Sequence, residues 1–114
     1  LDKSGEDLGT EYIIDLLKRF ELSKDAQRKI ANYCAYKGIL YLCTPWDAKS
    51  IDVLESFNVP AYKVASADLT NLPLLDQLSK TNKPLILSTG MSTVREITEV
   101  KTFLDGKRKN KKTK

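Results

Sequence analysis

An α/β fold built from parallel βα units is what this sequence predicts, and three observations carry the prediction. Short apolar runs recur at residues 39–43, 61–65 and 84–88, a period of about 22 to 23 residues. Each run ends in a polar break, at 44–47, 66–68 and 89–91. Each break then leads into apolar residues at helical spacing: Ile51, Leu54 and Phe57; Leu74, Leu75 and Leu78; Val94, Ile97 and Val100 with Phe103 or Leu104. Runs this short and this apolar suit strands covered on both faces, and helical crossovers require such strands to be parallel. Three strands are too few for a doubly wound sheet and amount to under half of a (β/α)8 barrel. The expected architecture is therefore a partial barrel of about three strands and four to five helices.

The elements can be justified in order. The first 22 residues are the least regular. Residues 4–9 read as loop, and residues 10–20 as a short helix with Tyr12, Ile13, Leu16, Leu17 and Phe20 on its apolar face. Ser23 reads as a cap for the next helix, because its hydroxyl can accept a free amide of the first turn. Ala26, Ile30, Tyr33 and Cys34 follow at helical spacing, and Gly38 supplies the stop. Asn58 and Pro60 end the helix after the first strand. Residues 1–105 form one domain in this reading, and residues 106–114 a basic, disordered tail. The chain lacks an initiator Met, which points to a start inside a longer protein.

Charge follows the same division. The chain carries 19 Lys and Arg against 15 Asp and Glu, a formal net charge of +4. The last nine residues hold six of the cations and no acid, so residues 1–105 hold 13 cations against 15 acids and are mildly acidic. A nucleic-acid reading would rest on that tail alone, with no interleaved aromatics or named motif behind it. No run nears the roughly 18 apolar residues of a membrane span, and the opening residues show no signal-peptide pattern. Cys34 and Cys43 match neither a redox pair nor a metal-site spacing. Both read as small buried apolar side chains in a reducing compartment, and a cytoplasmic location is the matching expectation. The sequence has no His, which removes the commonest general base and metal ligand, and no metal-ligand cluster is visible.

In parallel α/β proteins the chemistry sits at the carboxyl ends of the strands. Here those ends are rich in groups that hold an anion: Thr44, Lys63, Ser66, Ser88 and Thr89, with Gly90 permitting close backbone approach. Lys63 lies inside an otherwise apolar run. Either it serves a bound anion or it snorkels outward at a strand end. Asp68 reads as a nearby acid or base, or as a turn or cap residue. Asn71 reads as a plain cap, Trp46 and Tyr62 as scaffold or pocket wall, and Thr89 and Ser92 as turn and cap residues.

The wording of these loops resembles one family. Thr44-Pro45-Trp46-Asp47, the stretch 59–75 with its Lys63-x-x-Ser66-x-Asp68 pattern, and the stretch 83–91 with Ser88-Thr89-Gly90-Met91 resemble the N-acetylneuraminate (sialic acid) synthases. The resemblance runs from about Leu22 to Leu104. It implies the central part of a catalytic (β/α)8 barrel, usually followed by a small antifreeze-like domain. The implied reaction condenses phosphoenolpyruvate with an N-acetylated hexose, such as N-acetylmannosamine or its 6-phosphate. Attack on the open-chain aldehyde, addition of water and carbon–oxygen cleavage then give a nine-carbon sialic acid and phosphate. A divalent metal, manganese or magnesium, is implied for the full-length parent, which is commonly a homodimer, with its ligands outside this chain.

By resemblance, Thr44 helps hold phosphoenolpyruvate, and Lys63, Ser66 and Ser88 bind its phosphate. Asp68 is the catalytic candidate, assisting proton transfer or orienting the sugar. Ala67 stands where the family has Gly. After Leu104 the sequence leaves the resemblance and enters the basic tail. A catalytic Glu and a second phosphate-binding Lys are expected before Leu1, and metal-binding His residues beyond the end, so the isolated 114 residues are expected to be inactive. Related readings are a synthase for legionaminic, pseudaminic or spore-coat sugars, and a truncated, non-catalytic remnant or partner-binding fragment.

Overall fold

Capping residues in the sequence mark where the helices begin, and each cap sets which residues its helix turns toward the core. The computed structural model describes residues 4–109. Helices α1 (Ser4–Phe20), α2 (Lys24–Tyr36) and α3 (Ala48–Glu55) precede strand β1 (Tyr62–Val64). A 3-10 turn (Ser66–Asp68), α4 (Leu72–Lys80), β2 (Leu85–Leu87) and α5 (Val94–Lys109) complete the order. The Ser23 hydroxyl accepts the Ala26 amide at 3.2 Å, Asp47 the Ser50 amide at 2.7 Å, and Asn71 the Leu74 amide at 3.3 Å. At α5 the cap is Thr93 rather than Ser92. Glu96 accepts from the Thr93 amide at 2.7 Å while the Thr93 hydroxyl accepts the Glu96 amide at 3.3 Å, a reciprocal capping box. The returns from helix toward strand share a device too. Gly38, Asn58 and Asn82, which follow α2, α3 and α4, all have left-handed backbones with φ of 69°, 55° and 59°.

Two differences from the expected elements have local causes. Residues 4–9 are helical, not loop: no proline interrupts them, and they run without a break into the rest of α1. The run 39–43 is not a full strand. The Ile39 amide is taken by Cys34 O at 2.9 Å as α2 closes, and only Cys43 meets the sheet, in a parallel bridge to Tyr62. The sheet is thus two parallel strands and one bridge rather than three strands.

β1 and β2 pair in parallel, with Tyr62 opposite Leu85, Lys63 opposite Ile86 and Val64 opposite Leu87. Alternation sends Tyr62 and Val64 to one face, where they are buried with Ile51 and Leu54 of α3, Leu74, Leu75 and Leu78 of α4, and Val100 and Leu104 of α5. Leu85 and Leu87 pack against the same cluster. The other face carries Lys63, half-buried, and Ile86, 47% exposed. The small α/β fold therefore has helices on one face of its sheet, and the opposite face is uncovered among the described residues.

α1 and α2 stand apart from this core. Tyr12, Ile13, Leu17 and Phe20 of α1 are each more than half exposed, and α2 buries no residue. The Cα radius of gyration is 17.4 Å, against about 13 Å for a compact chain of this length. Cys34 and Cys43 are free thiols and half-buried, Cys43 against the core edge, rather than fully buried. α5 runs to Lys109, so residues 106–109 of the segment read as a disordered tail are helical; residues 110–114 lie outside the described residues.

The end of α5 is tied down by charge. Lys107 Nζ lies 2.5 Å from Asp76 Oδ1 on α4, and Lys80 Nζ lies 2.7 Å from Asp76 Oδ2. Hydrogen bonds from Lys107 and then Lys80 hold the Asp76 carboxyl down to about 2. A carboxyl depressed on folding stabilises fully above its unfolded value of about 3.9, and that contribution is lost as pH falls through its folded value. Asp76→Asn is therefore expected to lower the urea midpoint at neutral pH, with the gap from the parent chain closing as pH falls from about 5 to about 2. A gap that is constant across that range would exclude the ion cluster as its source.

Candidate functional site

Parallel pairing puts the carboxyl ends of the paired segments on one edge. Lys63 N donates to Cys43 O at 3.3 Å, and Ser88 N donates to Val64 O at 3.1 Å, so the ends near Thr44, Val64 and Ser88 are hydrogen-bonded neighbours. Lys63 sits in mid-strand on the uncovered face, and alternation along β2 assigns Ser88 to the side of Ile86, the register partner of Lys63. Ser66 and Asp68 lie just past β1 in the 3-10 turn, closed by Asp68 N to Ala65 O at 3.0 Å and Asn71 N to Asp68 O at 3.0 Å. Thr44, Lys63, Ser66, Asp68 and Ser88 are all half-buried.

Among the described residues the Lys63 side chain makes a single polar contact, its Nζ donating to Val64 O at 2.9 Å. It and Lys83 are the half-buried lysines among the described residues. Lys83 ion-pairs with Glu55 at 2.7 Å, whereas no acid pairs with Lys63 there. Asp68 is also incompletely served. Its Oδ1 accepts from Asn71 Nδ2 at 3.2 Å, while its Oδ2 is buried with no hydrogen-bond partner among the described residues. Buried polar atoms normally find a partner, which marks this oxygen as available for a donor.

Thr44 differs from the others in also lining a cleft. That cleft, of about 360 Å³, lies between the start of α2 and α3, with Trp46, Asp47, Lys24, Lys49 and Gln27 on its walls. Lys63, Ser66, Asp68 and Ser88 do not line it. Trp46 is 67% exposed and so is not scaffold packing, whereas Tyr62 is fully buried and is. The Ser50 backbone amide holds the Asp47 carboxyl below the ordinary range, so Asp47 serves as a cap.

At the opposite edge, sequence reading missed a cluster. The Tyr62 hydroxyl donates to Glu55 Oε1 at 2.5 Å, and Lys83 Nζ pairs with the same oxygen at 2.7 Å while lying 5.8 Å from the Tyr62 ring centre. Burial pushes the Tyr62 phenol far up, helped by its bond to Glu55. Burial would raise the Glu55 carboxyl, but the bonds from Lys83 and Tyr62 outweigh it and hold it below the usual range. The cluster joins the carboxyl end of α3 to the amino end of β1 and the approach to β2, the edge of the sheet associated with stability rather than chemistry in parallel α/β folds. No local pattern announces it, because its members lie 7 and 28 residues apart. The second missed contact, Asn71 to Asp68, has a readable Asp-x-x-Asn spacing.

The model of the NeuB family matches residues 2–113. The chain belongs to the NeuB family. The match extends past both ends of the stretch 22–104 that carries the loop resemblance, so the sequence does not leave the family after Leu104. Among its relatives, an uncharacterized protein of Methanocaldococcus jannaschii is 46% identical over 84% of this chain. The N,N'-diacetyllegionaminic acid synthase of Campylobacter jejuni is 34% identical over 82% of it. The chain spans 28% of the length of each of these relatives. The crystal structure of N-acetylneuraminic acid (sialic acid) synthetase from Leptospira borgpetersenii superposes with a TM-score of 0.81, at 26% identity, over 86% of this chain and 34% of that one.

Adjacent residues on β1 should respond oppositely to substitution. Tyr62→Phe removes a buried hydrogen bond to a charged group and is expected to cost about 1.5 kcal/mol in urea unfolding. Lys63→Met keeps the stem and deletes a cation without an acid partner, and is expected to change stability by less than about 0.5 kcal/mol. A Lys63→Met cost equal to that of Tyr62→Phe would mean that Lys63 belongs to the scaffold.

Proposed function

We propose that this chain is the central part of the catalytic (β/α)8 barrel of a sialic-acid-type synthase and forms its phosphoenolpyruvate-binding edge. The observation that carries the reading is Lys63: a half-buried cation with no acid partner among the described residues, on the uncovered sheet face, at the edge shared with Ser66 and Ser88. A partly desolvated ammonium favours a bound anion, and two hydroxyls nearby supply donors for phosphate oxygens. In this reading Lys63, Ser66 and Ser88 hold the phosphate, Thr44 helps hold phosphoenolpyruvate, and Asp68 faces the reacting groups.

The reaction joins phosphoenolpyruvate to the open-chain aldehyde of an N-acetylated hexose, then releases phosphate by carbon–oxygen cleavage after water adds. Lys63 would offset the charge of the phosphate before and during its departure. Asp68 would accept a proton or hydroxyl hydrogen bond through Oδ2. N-acetylmannosamine is the reference acceptor. The relative from C. jejuni supports a legionaminic-type acceptor as the second reading. Manganese or magnesium is part of this proposal for the longer protein. Among the described residues, no three His, Cys, Asp or Glu side chains come together to hold a metal, so its ligands would lie elsewhere. A cytoplasmic homodimer is the proposed setting.

Two measurements test the reading. Phosphoenolpyruvate titrated into the ¹⁵N-labelled chain should shift the amides of Ser66, Ser88 and their neighbours, and Lys63→Met should abolish those shifts. Unchanged spectra, or shifts that survive Lys63→Met, would remove the phosphate assignment. With N-acetylmannosamine and manganese added, the 114-residue chain should form no product, because the catalytic constellation must be complete and closely held. Metal-dependent product formation would show that the constellation is complete here.

A further inference from the structure

We propose that Asn71 is a positioning residue for Asp68, fixing its carboxylate so that Oδ2 is presented to the ligand; this rests on the proposed role of Asp68 beside the reacting groups. Besides accepting the Leu75 amide through its carbonyl at 3.0 Å, Asn71 makes three bonds that tie the helix start to Asp68. Its backbone amide donates to Asp68 O at 3.0 Å, its side-chain oxygen accepts from Leu74 N at 3.3 Å, and its side-chain amide donates to Asp68 Oδ1 at 3.2 Å. These bonds leave no freedom in the amide. The helix amide of Leu74 requires the oxygen on its side, so the NH₂ group must face Asp68.

The same residue thus starts α4 and holds the acid that precedes it. A cap needs only an acceptor, and Asp, Ser or Thr would serve at position 71 as well. A cap that also secures a carboxylate needs a donor on the second arm, and Asn is the capping side chain that offers an acceptor and an NH₂ donor together. Asp68 shows the result. Oδ1 is occupied, and Oδ2 is buried without a partner among the described residues. Lys63, the half-buried cation of the same edge, is committed to Val64 O, so it does not compete with Asn71 for this carboxylate. A buried carboxylate oxygen held in one orientation and left open is suited to a ligand that brings its own donor, as a polyhydroxylated sugar does.

The test needs no substrate, so its outcome is independent of phosphoenolpyruvate binding. The Asp68 carboxyl carbon is observed by ¹³C NMR at neutral pH in the 114-residue chain and in Asn71→Ser, Asn71→Asp and Asn71→Ala. Asn71→Ser and Asn71→Asp keep the cap and should keep the urea midpoint close to that of the parent. Asn71→Asp replaces the NH₂ donor by a second acceptor, so the Asp68 carboxyl signal should move although the cap is kept. Asn71→Ser should shift the Asp68 carboxyl signal with little loss of stability. If both cap-preserving variants leave that signal where it was, and only Asn71→Ala changes the chain, Asn71 is a cap alone and the proposal fails. If the signal responds as expected while phosphoenolpyruvate leaves the spectra unchanged, the positioning stands and the functional reading falls.

Discussion

Parallel pairing of β1 and β2 is the constraint on which the rest depends. With Tyr62, Lys63 and Val64 opposite Leu85, Ile86 and Leu87, the chain must cross back through α4 before β2 can begin. That return sorts the polar groups by edge. At the amino edge, Tyr62, Glu55 and Lys83 neutralise one another. At the carboxyl edge the chain leaves each segment through a turn, and the turns deliver Thr44, Ser66, Asp68 and Ser88. The start of α4 lies at this same edge, which is why one residue, Asn71, can cap the helix and also reach Asp68.

The second consequence concerns faces. A strand with one neighbour layer buries alternate residues, and here all of the burial goes to the helix side. The opposite side keeps Lys63 and Ile86 at the surface, while α1 carries apolar side chains that nothing among the described residues covers. Exposed apolar area on this scale is unusual for a self-contained monomer. The chain spans 28% of the length of the relatives it matches.

Much of this was legible in the sequence, for physical reasons. Helices α2 to α5 follow from apolar spacing plus a cap or a left-handed stop, signals that act within a few residues. Thr44, Lys63, Ser66, Asp68 and Ser88 could be assigned to one edge because parallel topology alone dictates it. The run 39–43 misled because apolar composition registers burial, not pairing, and the close of α2 claimed the Ile39 amide. Residues 4–9 misled because two glycines, Gly5 and Gly9, weigh against helix at about 1 kcal/mol each, yet the segment continues unbroken into α1. The Tyr62–Glu55–Lys83 cluster was invisible because it exists only once β1 and β2 have paired.

Two incompletely paired groups lie at the carboxyl edge. Lys63 lacks an acid, Asp68 has an open oxygen, and five residues separate them, yet they do not pair with each other among the described residues. Each is held by a different neighbour instead: Lys63 Nζ donates to Val64 O, and Asn71 donates to Asp68 Oδ1 in the turn that follows β1. The edge therefore presents an anion-seeking group and a donor-seeking group on one short stretch of chain, an arrangement suited to a ligand that brings an anionic group together with a hydrogen-bond donor.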